Sequence, residues 1–363
     1  MEQEKRVTIK ELSKLMGVST TTITNALTGQ PNVSEKRRKE IIEKAKELGY
    51  KPNQYARAMV RNGFKIGVIT ADEPHEFLDY LKKGLKEGFK ELADYKVQGI
   101  FETYSNHNAN EEFKDALLKV ISEGVNGLIL GTSFDISGYS DILKDLYENK
   151  NMPIVLLHRD VNGDCFSGIL IPGSKVIGEM VAEFIAMTHP RGTKVAAITT
   201  KKEFTPHRDA VEAFKENCIR HGLKICDIYE NNDSKQETYH LTQRILTDHP
   251  DCKVIYVTSF NSVSACRCIR NMNLDKKVSV IAHDIYPEMV KYMQDGVLLA
   301  AIYQNPILMG RLAVNIAFNH IAGDKSEGGK IIIRPELILR SNMSCFPELK
   351  EETTDSLSVF STV

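Results

Sequence analysis

The chain has 363 residues, of which 42% are hydrophobic and 26% charged, and this excludes a wholly disordered protein and leaves room for two or three domains. No apolar run of about 18 residues occurs, so the sequence predicts no membrane span. The seven cysteines show no CxxC spacing and the first residues form no apolar signal segment, so we expect reduced thiols in the cytoplasm.

Charge is distributed unevenly along the chain. Residues 1–65 carry 14 Lys and Arg against 7 Asp and Glu, whereas the remainder carries 33 against 41. A basic segment of this kind favours contact with a polyanion. Lys-rich helical surfaces are also common, so charge alone leaves nucleic acid binding and a plain basic surface equally open.

Residues 8–48 are predicted to form three short helices. Apolar residues recur at helical spacing in each helix, and glycine or a Gly-Gln-Pro break separates one helix from the next. Thr8, Ser19 and Ser34 stand where a hydroxyl caps the first turn of a helix. The predicted helices cover residues 8–16, 20–28 and 35–48.

The first two helices and the glycine-containing turn between them predict a helix-turn-helix. The second helix carries short hydrogen-bonding side chains, which reach base edges or phosphates with little loss of rotamer entropy. Because threonine is a poor helix former, a surface role explains this run better than helix stability does, although threonines that only face water are the alternative. The predicted base contacts are Thr20, Thr21 and Asn25, and the predicted phosphate contacts are Ser19, Thr22, Thr24 and Ser34.

From residue 65 onward, short β-rich runs alternate with helical segments, which predicts parallel sheets with right-handed crossovers. Ten strands exceed what one sheet of this size needs. We therefore expect an α/β body of two doubly wound lobes, with a ligand cleft at the carboxyl ends of the strands. Residues 331–339 are predicted to form a late strand, and residues 348–363 a disordered tail. The ten predicted strands cover residues 66–69, 97–101, 127–130, 154–157, 168–171, 194–198, 224–228, 254–257, 278–282 and 299–302. The predicted helices cover residues 76–92, 110–123, 174–187, 208–221, 236–249, 263–272, 287–294 and 306–322.

Catalytic motifs are incomplete throughout the body. His158-Arg159-Asp160 resembles the kinase catalytic-loop triplet, but Cys165 stands where the asparagine belongs. Gly328-Gly329-Lys330 lacks the Ser or Thr that a phosphate-binding loop requires, and no GxGxxG, HExxH or GxSxG occurs. His283 and Asp284 are adjacent at a strand end and point to opposite sides, which disfavours a catalytic pair. We therefore expect no enzyme, no cofactor and no metal.

Polar and aromatic residues that follow the predicted strands are candidates for a ligand site. Each alone is more often a solvated loop residue. Together they suit a polyol, because arginine and carboxylate groups hydrogen-bond hydroxyls and an aromatic face packs on a sugar ring. The candidates are Asp72, His75, Phe77, Arg159, Asp160, Ser259, Asp284, Gln304 and Asn305.

The opening Val7-Thr8-Ile9-Lys10-Glu11-Leu12, with Val18-Ser19-Thr20-Thr21-Thr22-Ile23-Thr24-Asn25-Ala26-Leu27, resembles the lac repressor/galactose repressor family, and the similarity extends to about residue 346. The resemblance implies a sequence-specific DNA-binding transcription regulator, a repressor, that binds operator DNA as a homodimer or higher oligomer. It implies a DNA-binding domain at 1–51, a hinge helix at 52–64 and a two-lobed, ribose-binding-protein-like domain for effector binding and dimerisation at 65–347.

In the resembled family the hinge helix orders on operator DNA and opens a base step in the minor groove. Here Pro52 and Asn53 begin that segment, and Met59 stands where the family has a leucine wedge. The resemblance adds further DNA contacts at Thr8, Asn53, Tyr55, Ala56 and Met59.

The resemblance also assigns effector contacts to Arg159, Asp284 and Gln304. Two family ligands are missing, because Ala210 and Gly173 stand at the family's arginine and aspartate positions, and Arg208 is the candidate replacement for the arginine. A pentose, an inositol, a nucleoside, a phosphorylated sugar and no effector at all stay open. The rival functions are a cytoplasmic solute-binding sensor without a DNA role and a two-lobed enzyme.

Overall fold

The structure of the protein is a computed structural model. It describes residues 9–28, 32–48, 63–72, 76–105, 108–132, 134–161, 164–201, 204–326, 328–346 and 349.

The N-terminal head, residues 9–48, consists of three helices that share one apolar core. Leu12, Ile23 and Ile41 come one from each helix and are fully buried. Burial of each such side chain contributes about 1.5–3 kcal/mol, so tertiary packing rather than helix propensity stabilises helices this short. The helices are α1 (Ile9–Met16), α2 (Thr20–Thr28) and α3 (Glu35–Glu47).

Local geometry fixes the ends of these helices. Gly17 follows α1 with a φ of +64°, a left-handed conformation that glycine adopts without strain. Ser19 Oγ accepts a hydrogen bond from the Thr22 backbone N–H at 3.0 Å. The predicted caps at Ser19 and Ser34 are confirmed, whereas Thr8 lies outside the described residues.

The body alternates strands and helices over most of its length. Its strands are β1 (Phe64–Ala71), β2 (Val97–Tyr104), β3 (Gly127–Gly131), β4 (Ile154–Leu157), β5 (Gly168–Pro172), β6 (Lys194–Thr199), β7 (Lys224–Glu230), β8 (Cys252–Val257), β9 (Ser279–His283), β10 (Leu298–Tyr303), β11 (Gly329–Ile333) and β12 (Glu336–Ile338). Its helices are α4 (Glu76–Glu91), α5 (Ala109–Ser122), α6 (Ser140–Glu148), α7 (Ser174–Thr188), α8 (Thr205–His221), α9 (Lys235–Asp248), α10 (Ser262–Asn271), α11 (Pro287–Gln294) and α12 (Pro306–Ala322).

The strands form two six-stranded sheets, one in each lobe, which confirms the predicted α/β class. The first sheet has the order β11-β5-β4-β3-β1-β2 with parallel pairing throughout. The second has the order β12-β10-β9-β8-β6-β7, and β12 pairs antiparallel with β10. Nearly continuous apolar burial along β1, β4 and β9 reflects helices packed on both faces of the sheets.

Two sequence expectations about the body were wrong, and one helix was missed. Residues 331–339 are not one strand: Pro335, which has no N–H to continue the ladder, separates β11 from β12, and the two strands belong to different sheets. Helix α6 was not predicted. Alternation is not strict either, because β4 and β5 follow each other with no helix between them.

One residue of the predicted disordered tail, 348–363, is ordered in the core of the body. Leu349 is 7% exposed and packs in the core of the second lobe. Every other residue of the predicted tail, 348 and 350–363, lies outside the described residues.

Two glycines allow helices to cross at close range, and these crossings position the helices that border the cleft. A Cβ on Gly84 of α4 would lie 2.1 Å from the Ile307 carbonyl oxygen of α12. A Cβ on Gly178 of α7 would lie 2.1 Å from the Ala210 carbonyl oxygen of α8. Glycine is therefore required at both crossings, and the crossings hold the first turns of α4 and α8 at the cleft.

Candidate functional site

Helix α2 presents the polar residues that the sequence singled out. Thr20 and Thr21 are exposed, and Asn25, one turn after Thr21, is half-buried. The Thr24 hydroxyl donates to the Thr20 carbonyl at 2.9 Å, so it is partly engaged by its own helix. Thr20, Thr21 and Asn25 are thus placed on a surface that a partner can reach.

The remaining predicted DNA contacts fall into two groups. Ser19 and Ser34 are exposed and cap their helices, and the Thr22 hydroxyl lies 2.9 Å from Ser19 Oγ. The others lie outside the described residues: Thr8, Asn53, Tyr55, Ala56 and Met59.

A cleft of about 740 Å³ lies between the lobes, at the carboxyl ends of strands from both sheets. Clefts of roughly 300–1,000 Å³ are the usual size for binding small organic molecules. Its lining combines aromatic rings with ionisable groups. The rings belong to Phe77, Phe134, His158, Phe204, His207, Phe260, His283 and Tyr286, and the charged side chains to Asp135, Arg159, Lys201, Arg208, Asp233 and Asp284.

Asp284, directly after β9, is the central acidic group of this cleft. It is 3% exposed and has a φ of +54°, an unfavourable conformation for a residue with a side chain. Its Oδ1 accepts from the Gln304 backbone N–H at 2.8 Å and its Oδ2 from Gln304 Nε2 at 2.6 Å. Burial raises the pKa of Asp284 to about 7, and the two hydrogen bonds from Gln304 oppose that shift only in part.

Two histidines, which the sequence analysis did not assign to the cleft, lie beside Asp284. His207 and His283 stack with ring centroids 5.8 Å apart. His207 Nδ1 lies 3.1 Å from Thr258 Oγ1, and His283 Nε2 pairs with the Tyr256 hydroxyl. Burial lowers the pKa of His207 to about 4 and holds the pKa of His283 well below its usual value, so both rings are neutral at pH 7.

Aromatic contacts join the two lobes across the cleft. Phe77 at the start of α4 is 4% exposed, and its ring meets His158 edge to face at 4.3 Å. His158, just after β4, stacks on Phe204 of the second lobe at 6.2 Å. Tyr80 of α4 stacks on Tyr286 of the second lobe at 5.9 Å. The lobes are therefore in contact through two ring pairs, His158 with Phe204 and Tyr80 with Tyr286.

Five of the seven predicted effector residues line the cleft, namely Phe77, Arg159, Arg208, Asp284 and Gln304. The other two do not belong to the lining. Asp72 is mostly exposed and lies 3.9 Å from Lys82 Nζ. Ser259 is buried, and its Oγ accepts from Asn231 Nδ2 at 2.7 Å.

The two departures from the family pattern have a structural explanation. Ala210 is fully buried where α8 crosses α7, whereas His207 and Arg208 lie on the part of α8 that borders the cleft. Gly173 lies at the N-terminus of α7, where a Cβ would be 3.3 Å from Ile332 Cγ2 and from Pro335 Cδ, and it is not in the lining. Neither position is therefore open to a ligand in this chain.

Several buried polar atoms of the lining have no hydrogen-bond partner within the described part of the chain. They are Thr132 Oγ1, Arg159 Nε, His283 Nδ1 and the Tyr286 hydroxyl. Leaving a buried donor or acceptor unpaired costs about 1–3 kcal/mol. Four such atoms belong to residues that line one cleft.

No helix among the described residues is long and apolar enough to cross a membrane. In the same residues no group of three or more histidine, cysteine or acidic side chains could hold a metal ion. The cleft lining offers hydrogen-bonding groups, ring faces and charged groups to a ligand.

The fold and the cleft define the class of protein. Residues 66–325 match the periplasmic binding protein domain family, and residues 8–53 match the bacterial regulatory proteins of the lacI family. The chain belongs to the lacI family of regulators, a helix-turn-helix head followed by a periplasmic-binding-protein-like body. It is a DNA-binding transcriptional repressor regulated by a small-molecule effector.

Curated relatives cover most of the chain. It is 26% identical over 288 residues to the probable HTH-type transcriptional repressor ExuR of Bacillus subtilis, spanning 77% of this chain and 81% of the relative. It is 24% identical over 357 residues to the HTH-type transcriptional repressor PurR of Pasteurella multocida, spanning 93% and 98%. These relatives are named as transcription regulators.

Solved structures support the fold of the body. An ABC transporter periplasmic solute binding protein from Actinobacillus succinogenes with bound D-allose superposes with a TM-score of 0.71 at 16% identity, covering 78% of this chain and all of the other. GanP, a glucose-galactose binding protein from Geobacillus stearothermophilus, gives a TM-score of 0.67 at 21% identity and covers 78% and 99%. At these identities the likeness establishes the fold alone.

Proposed function

We propose that this repressor is a cytoplasmic homodimer whose operator affinity is controlled by a sugar-like polyol in the cleft between its lobes. The observation that carries the proposal is the convergence of unpartnered buried polar atoms on a ring-lined cleft of small-molecule size. Solved structures of similar fold that hold D-arabinose, D-fucose and D-allose support a ligand of this class.

The ligand contacts follow from the chemistry of the lining. Asp284 and Gln304 offer acceptors and a donor to vicinal hydroxyls, and Tyr286 and His283 offer a hydroxyl and a ring nitrogen that have no other described partner. Phe77 offers an apolar ring to the C–H face of a sugar. Asp72 and Ser259 stay predictions without a supporting contact.

The head is proposed to read DNA through α2. Thr20, Thr21 and Asn25 contact base edges in the major groove, while Ser19, Thr22, Thr24 and Ser34 hold phosphates. In a homodimer two copies of α2 meet two half-sites related by the two-fold axis of the protein. Residues 1–51 form the DNA-binding domain in this proposal, residues 52–64 the hinge and residues 65–347 the effector domain.

Effector control is proposed to act as a shift between two conformations of the body. A ligand that touches both lobes binds the closed form better than an open form, so it changes their populations by its differential affinity. By reciprocity the operator changes the effector affinity by the same factor. Hinge residues 52–64, between body and head, transmit that difference.

We infer that the cleft binds its ligand without chemical conversion. The histidine–hydroxyl pairs described at the cleft, His207 with Thr258 and His283 with Tyr256, lack a useful base, because burial lowers the pKa of His207 to about 4 and holds the pKa of His283 well below its usual value. The Thr258 hydroxyl donates to Thr199 Oγ1 at 2.8 Å, so its proton already points away from His207.

Selection of bound sequences from a random DNA library tests the proposal. The full chain should enrich a palindromic site, and Thr21→Ala should bind that site more weakly in gel shifts. A panel of sugars and polyols should then contain members that change operator affinity and raise the melting temperature together. Enrichment of no sequence, or no ligand that affects DNA binding, would contradict it.

A further inference from the structure

The cationic side chains of the cleft have fewer hydrogen-bond and ion-pair partners within the protein than its carboxylates have. Asp135 accepts from the Ser137 backbone N–H at 3.0 Å and from Ser137 Oγ at 3.1 Å. Asp233 accepts from the Thr200 hydroxyl. Together with the Gln304 bonds to Asp284, every acidic group of the lining is already engaged by donors of the protein.

Arg159 is in the opposite situation. Within the described residues its side chain makes no hydrogen bond and no ion pair at contact distance, and its Nε is buried without a partner. Its charge reaches Asp135 only as the weakest of the effects that lower the pKa of that group. A guanidinium held in a cleft without an acceptor is arranged for an acceptor that arrives with the ligand.

The second lobe brings further positive charge to the same space. Lys201 lines the cleft and makes no described side-chain bond, and Arg208 lines it with only an exposed pair to Asp209 at 3.2 Å. Both flank the start of α8, a 17-residue helix whose N-cap residue Phe204 supplies no capping side chain. The partial positive charge of that helix end adds to the two cations.

Nearby residues show that this end of the cleft is built to hold a ligand. Thr132 is 3% exposed, lines the cleft and has a buried Oγ1 with no described partner. The His158 ring, next to Arg159, stacks on Phe204 at 6.2 Å, so the cation of the first lobe and the helix start of the second lobe are neighbours. A hydroxyl of the first lobe and cations of both lobes thus line the same cleft.

We propose that the effector is an anionic polyol, whose carboxylate or phosphate group is bound between Arg159 of the first lobe and Lys201 and Arg208 of the second. This inference rests on the proposed function for the polyol part, which contacts Asp284, His283 and Tyr286. The anionic group would give closure an electrostatic component, because only the closed cleft brings the cations of both lobes to it. A neutral sugar offers Arg159 only hydroxyl acceptors, whose hydrogen bonds with a guanidinium are weaker than those of a carboxylate or phosphate, so it binds more weakly.

Thermal melts of the full chain in inorganic phosphate, at ionic strength held constant with chloride, test the anion site directly. The wild-type chain should be stabilised saturably. Arg159→Gln and Lys201→Gln should lose this effect, and Arg244→Gln, which removes an exposed cation outside the lining that pairs with Asp248 at 3.6 Å, should keep it. Equal stabilisation of all four proteins, or no saturable effect on the wild type, would overturn the inference.

Calorimetry with matched sugars then separates the two sources of charge. The series are D-glucose, D-glucuronate and D-glucose 6-phosphate, and D-galactose, D-galacturonate and D-galactose 6-phosphate. A charged member should bind about ten- to a hundred-fold more tightly than its neutral parent, and Arg159→Gln should remove that advantage. Tighter binding of the uronates identifies a carboxylate, and tighter binding of the sugar phosphates identifies a phosphate.

The same series separates this inference from the proposed function. If a neutral parent sugar binds as tightly as its charged partners and controls the operator, the anion site is wrong and the repressor function stands. If phosphate binds through Arg159 but no member of the series alters operator affinity, the proposed sugar control is wrong and the anion site stands.

Discussion

Replacing Asp284 by asparagine should stabilise the folded repressor at alkaline pH and should lower its affinity for the effector. The wild-type carboxyl is buried, with a pKa of about 7 in the folded chain and an ordinary value of 3.8. The folded state therefore binds the proton more tightly than the unfolded state, and stability falls as the pH rises between these two values. Between pH 5 and pH 8 this linkage removes about 2–3 kcal/mol from the wild type.

Asparagine keeps the shape of the protonated acid and cannot ionise. Its Oδ1 can still accept from the Gln304 backbone N–H, and a rotated Gln304 amide can accept from its Nδ2, so the local packing persists. The left-handed backbone at residue 284 also suits asparagine. The linkage has already removed about 1.5–2 kcal/mol from the wild type at pH 5, so the variant should be more stable by about that amount at pH 5. At pH 8 its advantage should be larger by a further amount of about 2–3 kcal/mol.

Urea unfolding of both proteins at pH 5, 6, 7 and 8 measures this difference, with Asp295→Asn as a control on an exposed carboxylate of the same lobe. The effector affinity of Asp284→Asn should fall about ten- to a hundred-fold, because one acceptor of charge-assisted bonds becomes a donor. A stability difference that does not change with pH would refute the buried, proton-binding carboxyl.

Three further predictions follow from other parts of the molecule. Asn25→Ala should weaken operator binding by about 1–3 kcal/mol and random-sequence binding much less, and an equal loss on both DNAs in competition gel shifts would make Asn25 a backbone contact. Gly84→Ala should destabilise the body by about 1–3 kcal/mol in urea unfolding, because its Cβ would meet the Ile307 carbonyl oxygen at 2.1 Å; an unchanged midpoint would contradict that crossing. Tyr256→Phe should cost about 1–3 kcal/mol of stability by leaving His283 Nε2 buried and unpaired, and a neutral effect would show that the ring has another partner.

Local sequence signals predicted most of the helices and strands because they are set by neighbours along the chain. The caps at Ser19 and Ser34 and the glycine turn at Gly17 are of this kind. Helix α6 was missed because it is only nine residues long, shorter than the windows of 11–18 residues over which helical periodicity is usually recognised.

Long-range features were harder to predict for a physical reason. Pro335 marked a break within residues 331–339, but only tertiary packing decides that the two halves join different sheets. His207 borders the cleft because the glycine crossing at Gly178 fixes the rotation of α8, and no pattern within α8 encodes that rotation. His283 was considered in the sequence only as a neighbour of Asp284, and its place in the lining depends on the burial of the whole strand end.

The most direct test of the central claim measures operator affinity with and without the ligand that most stabilises the body in thermal melts. Because the effector and the operator are linked through one conformational equilibrium, the ligand should change operator affinity by about 5- to 150-fold and leave random-sequence affinity nearly unchanged. The Asp284→Asn variant should need a correspondingly higher ligand concentration for the same change. An operator affinity that is identical with and without a ligand bound in the cleft would contradict the account.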